Sequence, residues 1–248
     1  MAKLPFWKMS GAGNDFVLVA GPRPGRAGAA LARELCDRRF GVGADGLLAL
    51  SRSGRRVRLD YWNADGSAAF CGNGSRCAAL WAAKHGWVRG KSFTLDSSRG
   101  PLQVRLTGKG RAEVVMPPPH GFLKARGGVH LIDTGVPHAV VFVKNLEKVN
   151  VDGLGKELRW RHKANVDFVQ LKKGVLHLRT FERGVEGETL ACGTGVVAAA
   201  AVAFLLGKTR EKVRVQVRGG DVLNVSLLHG GARLEGPGEI TFSGEVAR

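Results

Sequence analysis

The chain has 248 residues, of which 44% are hydrophobic and 24% charged, a composition of globular rather than disordered proteins, and no apolar run approaches the roughly 20 residues that span a bilayer. Because the amino terminus lacks the hydrophobic core and cleavage site of a secretion signal, we expect a cytoplasmic protein whose four cysteines stay reduced. The formal charge of +17 suits nucleic-acid binding, but Lys and Arg are scattered and aromatic residues are too few for a stacking platform, so we favour a solvated basic surface and keep a nucleic-acid-binding module as an alternative.

The first half of the chain is predicted to alternate short strands with two helices. Strands are predicted at residues 16–19, 46–50 and 57–62 and in short runs over residues 92–116, and helices at about residues 27–39 and 75–85. The glycine-rich turn G-A-G-N-D at residues 11–15 comes before its strand, and the second helix follows the C-G-N-G turn that begins at Cys71. Pro117, Pro118 and Pro119 remove three backbone donors, so we predict a domain boundary there.

The second half repeats this order. It is predicted to contain strands at residues 129–132 and 139–143, a strand opened by Asn165, a glycine-rich turn at residues 184–187 and an alanine-rich helix at residues 196–206. That helix follows the turn C-G-T-G, which begins at Cys192, and the run N-V-D-F-V from Asn165 resembles N-D-F-V from Asn14. The length allows two domains, so we predict two diverged copies of one unit.

Cys71 and Cys192 are the candidate catalytic residues. Each stands at the start of a predicted helix, where unpaired backbone N–H groups and the positive end of the helix dipole lie together, and the neighbouring glycines allow a ligand to approach the backbone. The field at a helix end is expected to lower the pKa of a thiol. Cys36 and Cys77 lie inside predicted helices, and we interpret them as small buried hydrophobic residues.

Two opposed acid/base groups suit the inversion of an amino-acid stereocentre. A thiolate removes the α-proton from one face and a thiol gives a proton to the other, while backbone donors at the helix starts hold the substrate carboxylate and the developing enolate. We expect no cofactor and no metal, since the chain has no Walker loop, no dinucleotide-binding fingerprint and no paired zinc ligands around its candidate cysteines.

Seven motifs together resemble the diaminopimelate epimerase family over essentially the whole chain. They are K-M-S-G-A-G-N-D-F-V from Lys8, G-V-G-A-D-G from Gly41, N-A-D-G-S from Asn63, C-G-N-G-S-R-C from Cys71, G-V-P-H from Gly135, E-R-G from Glu182 and A-C-G-T-G from Ala191, in that family's order. The two C-G-x-G turns, combined with N-A-D-G and E-R-G, form a highly specific set.

The resemblance implies an α/β (α+β) fold of two pseudo-symmetric domains, each a curved, mostly antiparallel sheet wrapped around a central helix, with the active site between them. Residues 1–116, joined by the C-terminal strand 237–248, would form the domain that carries Cys71, and residues 117–236 the domain that carries Cys192. The resemblance also implies an isomerase that interconverts LL- and meso-diaminopimelate without pyridoxal phosphate or another cofactor, in lysine and peptidoglycan precursor biosynthesis. It further implies a homodimer with Phe242 at the dimer contact.

The resemblance also assigns roles to individual residues. Cys192 would take the proton from the LL isomer and Cys71 would supply one. The substrate-binding residues would be Asn14, Asn63, Gly72, Asn73, Asn165, Glu182, Arg183, Gly193 and Thr194. Among them, a glutamate suits the distant ammonium group of the substrate and an arginine fork suits its distant carboxylate. His138 and Glu182 would tune the pKa values of the thiols.

Several departures from the family pattern bear on the choice of substrate. Val136 replaces the asparagine usual in G-N-P-H, and Gly46 stands where some members have glutamine. The loop before Cys71 is one residue shorter than the pattern, and one extra residue lies near Glu186. We therefore keep a related racemase of another amino acid as an alternative. The residues alone also allow purely structural interpretations. His138 could simply form a hydrogen bond to the backbone, and Glu182 and Arg183 could form a solvated ion pair. Asn14, Asn63 and Asn165 could each be turn formers.

Overall fold

The structure of the chain is a computed structural model that describes residues 3–228 and 231–247. The predicted domains also include Met1, Ala2, His229, Gly230 and Arg248, which lie outside the described residues. The chain divides into two compact units, Met1–Val114 with Gly236–Arg248 (unit 1) and Val115–Glu235 (unit 2). In the part of the chain that is described, no helix is long and apolar enough to cross a membrane.

Seventeen strands and four α-helices follow one another along the described residues. The first half contains β1 (Lys3–Gly11), β2 (Asn14–Ala20), α1 (Gly28–Cys36), β3 (Gly46–Ser53), β4 (Arg56–Asn63), α2 (Gly72–Lys84), β5 (Ser92–Ser97), β6 (Gly100–Gly108) and β7 (Arg111–Met116). The second half contains β8 (His120–Lys124), β9 (Val129–Asp133), β10 (Pro137–Phe142), α3 (Val151–His162), β11 (Asn165–Lys172), β12 (Val175–Glu182), β13 (Gly187–Thr189), α4 (Gly193–Leu205), β14 (Lys212–Gln216), β15 (Val222–Leu228), β16 (Gly231–Pro237) and β17 (Glu239–Ala247).

The two units repeat one succession of strand pairings. In unit 1, β1 is antiparallel to β2, β2 is parallel to β3, β3 is antiparallel to β4, β4 is parallel to β5, and β5 and β6 continue antiparallel. In unit 2, β9, β10, β11, β12, β14 and β15 are paired in the same sequence of directions. The prediction of two diverged, mostly antiparallel copies is confirmed.

Strands β2, β3 and β11 contain runs of consecutive buried residues, so both of their faces are covered there, which explains their continuous apolar sequences. In β2, Val17 packs with Leu31 and Leu35 of α1, whereas Phe16 lies beside Gly74 of α2 on the opposite face. Helix α2 contacts β1, β2, β3, β4, β6 and β17 of its own unit. The predicted central helix of this unit is therefore confirmed.

Helix α4 is the central helix of unit 2. Its sequence is apolar all round, and its residues from Gly195 to Ala203 are buried, as is typical of a helix surrounded by other elements. It contacts β9, β10, β11, β12, β14 and β15. The short alanine side chains allow the strands to approach the helix closely on every side.

Three sequence-based interpretations need correction. The G-A-G-N-D turn joins β1 to β2, so it follows a strand as well as preceding one. Helix α3 was not predicted, because Gly153 and Gly155 weaken the helical pattern of its sequence. The segments at Asn14 and Asn165 are not equivalent, since Asn14 opens β2 whereas Asn165 opens β11, the counterpart of β3.

Candidate active site

Cys71 is the N-cap of the helix that follows it. Its backbone is extended, with φ of −131° and ψ of 113°, and α2 begins at the next residue, Gly72. The Sγ atom accepts a hydrogen bond from the amide of Gly74 at 3.4 Å, which satisfies one of the free donors of the first helical turn. The side chain is partly exposed, so the sulfur can both cap the helix and reach a ligand.

Asn14 and Asn73 lie beside this thiol. The thiol donates a hydrogen bond to Oδ1 of Asn14 over 3.6 Å, and Nδ2 of Asn73 donates to the same oxygen over 3.4 Å. On its other side Asn14 donates to the carboxylate of Asp45, which keeps its carbonyl oxygen turned toward Cys71. Unit 1 therefore brings together three of the predicted site residues.

The orientation of Asn73 depends on Arg76, which the sequence analysis did not select. Arg76 is completely buried, and its Nη2 donates to Oδ1 of Asn73 at 3.0 Å while its Nη1 donates to the carbonyl of Gly72 at 3.5 Å. The signal was a charged residue three positions after Asn73, because residues i and i+3 of a helix share one face. Asn73 is itself buried, and its predicted role in binding a substrate stays a prediction.

Asn14 contacts a cluster of four charged residues, which are Lys8, Asp15, Arg38 and Asp45. Asp15 forms ion pairs with Lys8 and Arg38, each at 2.7 Å, and Arg38 also reaches Asp45 at 2.9 Å. Burial by itself would raise the pKa of the Asp15 carboxyl, but the hydrogen bonds and charges of Arg38 and Lys8 outweigh it and lower the pKa to about 2. The cluster fixes Asp45, which in turn holds Asn14.

Asn63 is engaged in its own turn. Its Nδ2 donates to the hydroxyl of Ser67 and its Oδ1 accepts a bond from the hydroxyl of Tyr61, both at 2.9 Å. The N-A-D-G-S segment is closed by the amide of Asn63 donating to the carbonyl of Ser67 at 2.9 Å. The turn-forming interpretation of this asparagine therefore describes its contacts in unit 1, and its predicted role in binding a substrate stays a prediction.

Cys192 is the counterpart of Cys71 in unit 2. Its backbone is also extended, with φ of −120° and ψ of 110°, and α4 begins at Gly193. The side chain is 7% exposed, and its Sγ lies 3.3 Å from the hydroxyl oxygen of Thr194. Thr134 donates to the carbonyl of Thr194 at 3.0 Å, so a residue before β10 fixes the first turn of this helix.

The pKa of Cys192 moves in the direction opposite to the one expected from its helix end. Burial raises the pKa of this thiol well above its ordinary value, and the negative charges of Glu182 and Asp167 raise it further. Hydrogen bonds from Thr194 and the amide of Gly195 act in the other direction and are weaker. The expected lowering is therefore wrong for Cys192, because desolvation of the thiolate exceeds the stabilisation that the helix start supplies.

His138 lies in a buried polar chain with Asp167. Nδ1 of His138 is 2.6 Å from the Asp167 carboxylate, and both side chains are fully buried. The other carboxylate oxygen of Asp167 accepts a hydrogen bond from Thr180 at 2.7 Å. Asp167 was missed in the sequence, where its signal was a single acidic residue inside the otherwise apolar start of a strand, N-V-D-F-V.

Asn165 links this chain to Arg183. Its Nδ2 donates to the carbonyl of Pro137 at 3.3 Å and lies 3.5 Å from Nε2 of His138, and its Oδ1 accepts a bond from the amide of Arg183 at 2.9 Å. The guanidinium of Arg183 is exposed and donates to the carbonyl of Lys163 at 3.0 Å. Glu182 accepts a bond from the hydroxyl of Thr189 at 2.9 Å and is close enough to Cys192 to raise its pKa.

The other two cysteines are buried, whereas Phe242 is exposed. Cys36 and Cys77 are buried, and burial raises the pKa of each to about 12, so their interpretation as small hydrophobic residues is confirmed. Phe242 is exposed on β17 with its ring edge-on to Phe6. Among residues 3–228 and 231–247, no group of three His, Cys, Asp or Glu side chains is placed to hold a metal ion.

The sequence has close full-length relatives. A family model described as diaminopimelate epimerase matches residues 6–120 and 130–234. The chain is 37% identical over 279 aligned residues to the diaminopimelate epimerase of Methanocella arvoryzae, with 99% of this chain and 98% of that protein covered. It is 40% identical over 257 aligned residues to the diaminopimelate epimerase of Chlorobaculum tepidum, with 96% and 99% covered.

Solved structures share the fold at much lower identity. A probable proline racemase from Agrobacterium radiobacter has a TM-score of 0.76 at 17% identity, covering 98% of this chain and 93% of that one. A protein from Pseudomonas aeruginosa described as a predicted epimerase has a TM-score of 0.74 at 17% identity, covering 99% of each chain. These similarities confirm the predicted fold class.

Proposed function

The chain belongs to the diaminopimelate epimerase family, which makes it an isomerase and supports the epimerisation of diaminopimelate, and we propose that Cys71 and Cys192 are its acid/base pair. The observation that carries the proposal is the matched position of the two cysteines. Each is the N-cap of the central helix of its unit and is followed by Gly-x-Gly. No other cysteine shares this setting, since Cys36 and Cys77 are buried within helices.

The proposed reaction moves one proton on each face of the substrate α-carbon. One sulfur, as thiolate, forms an S–H bond with the departing α-proton, and the other breaks its S–H bond to protonate the opposite face. After one turnover the proton that the pair carries is on the other sulfur. The amides of the first turns of α2 and α4 would hold the substrate carboxylate and the charge that develops next to it, because their dipoles are already oriented.

Exchange of the substrate α-hydrogen with heavy water tests this mechanism. We expect wild-type protein to exchange the α-hydrogen and to interconvert LL- and meso-diaminopimelate, and Cys71→Ser and Cys192→Ser to lose at least about two powers of ten in rate, because a hydroxyl is a far weaker acid/base than a thiol. Cys36→Ser is a matched control outside the pair. Undiminished exchange in both variants of the pair would exclude the proposed mechanism.

We propose that Glu182 and Arg183 bind the distal end of the substrate. Asn165 would hold the backbone there, because its Oδ1 accepts a hydrogen bond from the amide of Arg183. The exposed guanidinium of Arg183 suits a carboxylate and Glu182 suits an ammonium group. A panel of amino acids with and without a second amino-acid end tests this assignment. Equal rates on both kinds of substrate would instead favour a related racemase of another amino acid, the alternative raised by Val136.

The biological setting is part of the same proposal. We propose a role in lysine and peptidoglycan precursor biosynthesis, in the cytoplasm, by a homodimer with Phe242 at its contact. The exposure of Phe242 on β17 is compatible with such a contact, and its substitution by aspartate, followed by measurement of the mass in solution, tests it.

A further inference from the structure

The internal repeat allows the surroundings of the two thiols to be compared residue by residue. The strands that pair in parallel, β2 with β3 and β10 with β11, give the register of each unit, and the next strands, β4 and β12, extend it. The resulting equivalent pairs are Phe16 and His138, Gly46 and Asn165, Leu48 and Asp167, Tyr61 and Thr180, and Trp62 and Phe181.

Contacts of the outer helices support this register independently. A Cβ atom on Gly28 of α1 would lie 2.2 Å from the ring of Trp62, and a Cβ atom on Gly155 of α3 would lie 2.7 Å from Phe181. Glycine is thus needed at the same place in both units, where the outer helix crosses the equivalent aromatic residue of the sheet.

The central helices show the same correspondence and reveal a difference. A Cβ atom on Gly74 would lie 2.8 Å from Leu48, whereas a Cβ atom on Gly195 would lie 2.5 Å from Oδ1 of Asp167. Equivalent glycines of the two C-G-x-G turns therefore rest on an apolar side chain in unit 1 and on a buried carboxylate in unit 2. The two thiols therefore share a backbone setting, but the side chain packed against the first helical turn differs in polarity between the units.

Both carboxylate oxygens of Asp167 have hydrogen-bond partners. Because the amide of Arg183 donates to Oδ1 of Asn165, the Nδ2 group of Asn165 faces Nε2 of His138, which must then accept. The proton of His138 is therefore on Nδ1, where it is donated to Asp167, and Thr180 donates to the second carboxylate oxygen.

We propose that Asp167 is a positioning residue that makes the two thiols unequal, keeping Cys192 as the thiol of the resting pair through the negative charge that it places under the first turn of α4. The resting pair is then set for the meso isomer, from which Cys71 takes the proton while Cys192 gives one, the reverse of the direction in which the resemblance has Cys192 take the proton from the LL isomer. The mechanistic part of this inference rests on the proposed function, whereas the effect of Asp167 on Cys192 does not.

Other groups that face Cys192 do not remove this effect. Burial and the negative charge of Glu182 on β12 act in the same direction as Asp167 and are larger effects, whereas the hydroxyl of Thr194 and the amide of Gly195, both on α4, favour the thiolate. Nδ1 of His138 on β10 lies within hydrogen-bond distance of Asp167. The equivalents of Asp167 and His138 in unit 1 are the uncharged residues Leu48 and Phe16, and the buried charge near the start of α2 is the cation Arg76, whose Nη1 donates to the carbonyl of Gly72.

The titration of each cysteine can be followed by NMR of the intact protein labelled with ¹³C at cysteine Cβ. In the wild type, we expect the Cys192 resonance to remain at its thiol position at about pH 8.5, the pKa of a free cysteine. In Asp167→Asn we expect its midpoint to fall by about one pH unit or more, because a charge within one helical turn is removed from a buried site. The Cys71 midpoint should stay in place.

Matched controls separate charge from structure. Asp152→Asn removes an exposed carboxylate of α3 and should leave the titration midpoint of Cys192 unchanged. Thr180→Val removes a hydrogen-bond donor to Asp167 but leaves the carboxylate in place. An unshifted Cys192 midpoint in folded Asp167→Asn would overturn the inference. So would a wild-type Cys192 that is already thiolate at about pH 7.5, a result that needs no variant. Because these titrations require no substrate, they are independent of the exchange experiment on the cysteine pair.

Discussion

Asp15 lies between the cations Lys8 and Arg38, and this setting makes the stability of the fold depend on pH. The folded pKa of about 2 is below the ordinary value of 3.8. The ionised carboxylate therefore stabilises the folded state above about pH 4, and this contribution is lost as the pH falls through about 2. We expect Asp15→Asn to lower the free energy of unfolding by roughly 2 kcal/mol at neutral pH and by almost nothing near pH 2.

Denaturant unfolding of the wild type and Asp15→Asn at a series of pH values between about 7 and 2 measures this difference. Asp152→Asn, an exposed aspartate variant, should show a small difference that changes little over the same range. A difference between the wild type and Asp15→Asn that is constant with pH would contradict the assignment of the ion pairs.

Single residues differ in how much of their role the sequence reveals. The matched setting of Cys71 and Cys192 is recognisable in the sequence because the glycines that define it are their immediate neighbours. Arg76 and Asp167 are not, because their roles depend on partners that the chain brings from elsewhere, such as Gly195 beside Asp167. The structure also changes the interpretation of Asn73, because its side-chain oxygen accepts a hydrogen bond from Arg76.

At the scale of helices and strands, the preference of a helix for alanine over glycine is opposed in α3 by the packing of this helix against Phe181. Alanine is usually more favourable than glycine inside a helix by about 1 kcal/mol. At Gly155, however, a Cβ atom would lie 2.7 Å from Phe181, so we expect Gly155→Ala to destabilise unit 2 by about 1–3 kcal/mol. Thermal or denaturant unfolding of the full chain measures the change.

Lys156→Ala is the matched control, because residue 156 is exposed on the next position of the same helix. It should change the free energy of unfolding by no more than about 0.5 kcal/mol. A stabilising effect of Gly155→Ala would show that α3 can move away from Phe181, and would weaken the register on which the equivalence of Leu48 and Asp167 depends.

The central helices were predicted in type but not at their first residues. Both were expected to begin three residues later than they do, at Ser75 and Val196 instead of Gly72 and Gly193. The prediction placed the glycines in a turn because glycine disfavours helix interiors. In the structure, the glycines belong to the first helical turn, and the second glycine of each motif packs closely on the sheet: a Cβ atom on Gly74 would lie 2.8 Å from Leu48, and one on Gly195 would lie 2.5 Å from Asp167.

At the scale of the whole molecule, the two units differ in how the chain builds them. Unit 2 is continuous, whereas unit 1 requires the C-terminal segment from Gly236. Strand β17 pairs with β1 from Lys3 to Ser10, and the amide of Gly238 donates to the carbonyl of Gly110 at 3.0 Å. We expect residues 115–235 to fold when expressed alone and residues 1–114 to fold only when 236–248 are supplied.

Circular dichroism and cooperative unfolding of the separate fragments test this expectation, and a fusion of residues 1–114 to residues 236–248 through a flexible linker is the positive control. Cooperative unfolding of residues 1–114 alone would show that β17 is dispensable to unit 1. Failure of residues 115–235 to fold would show that this unit depends on the rest of the chain.

The sequence by itself determined the two-copy organisation, the α/β class, the matched positions of Cys71 and Cys192 before their helices and, through its motifs, the family. These features are predicted by local sequence patterns, because helix starts, glycine turns and apolar runs each depend on residues that are close together in the chain. Only the tertiary structure decided that Asn14 and Asn165 are not equivalent, that Arg76 orients Asn73, and that a carboxylate lies under one helix start and a leucine under the other. Those facts depend on strand register and burial, which arise from contacts between segments far apart in the chain.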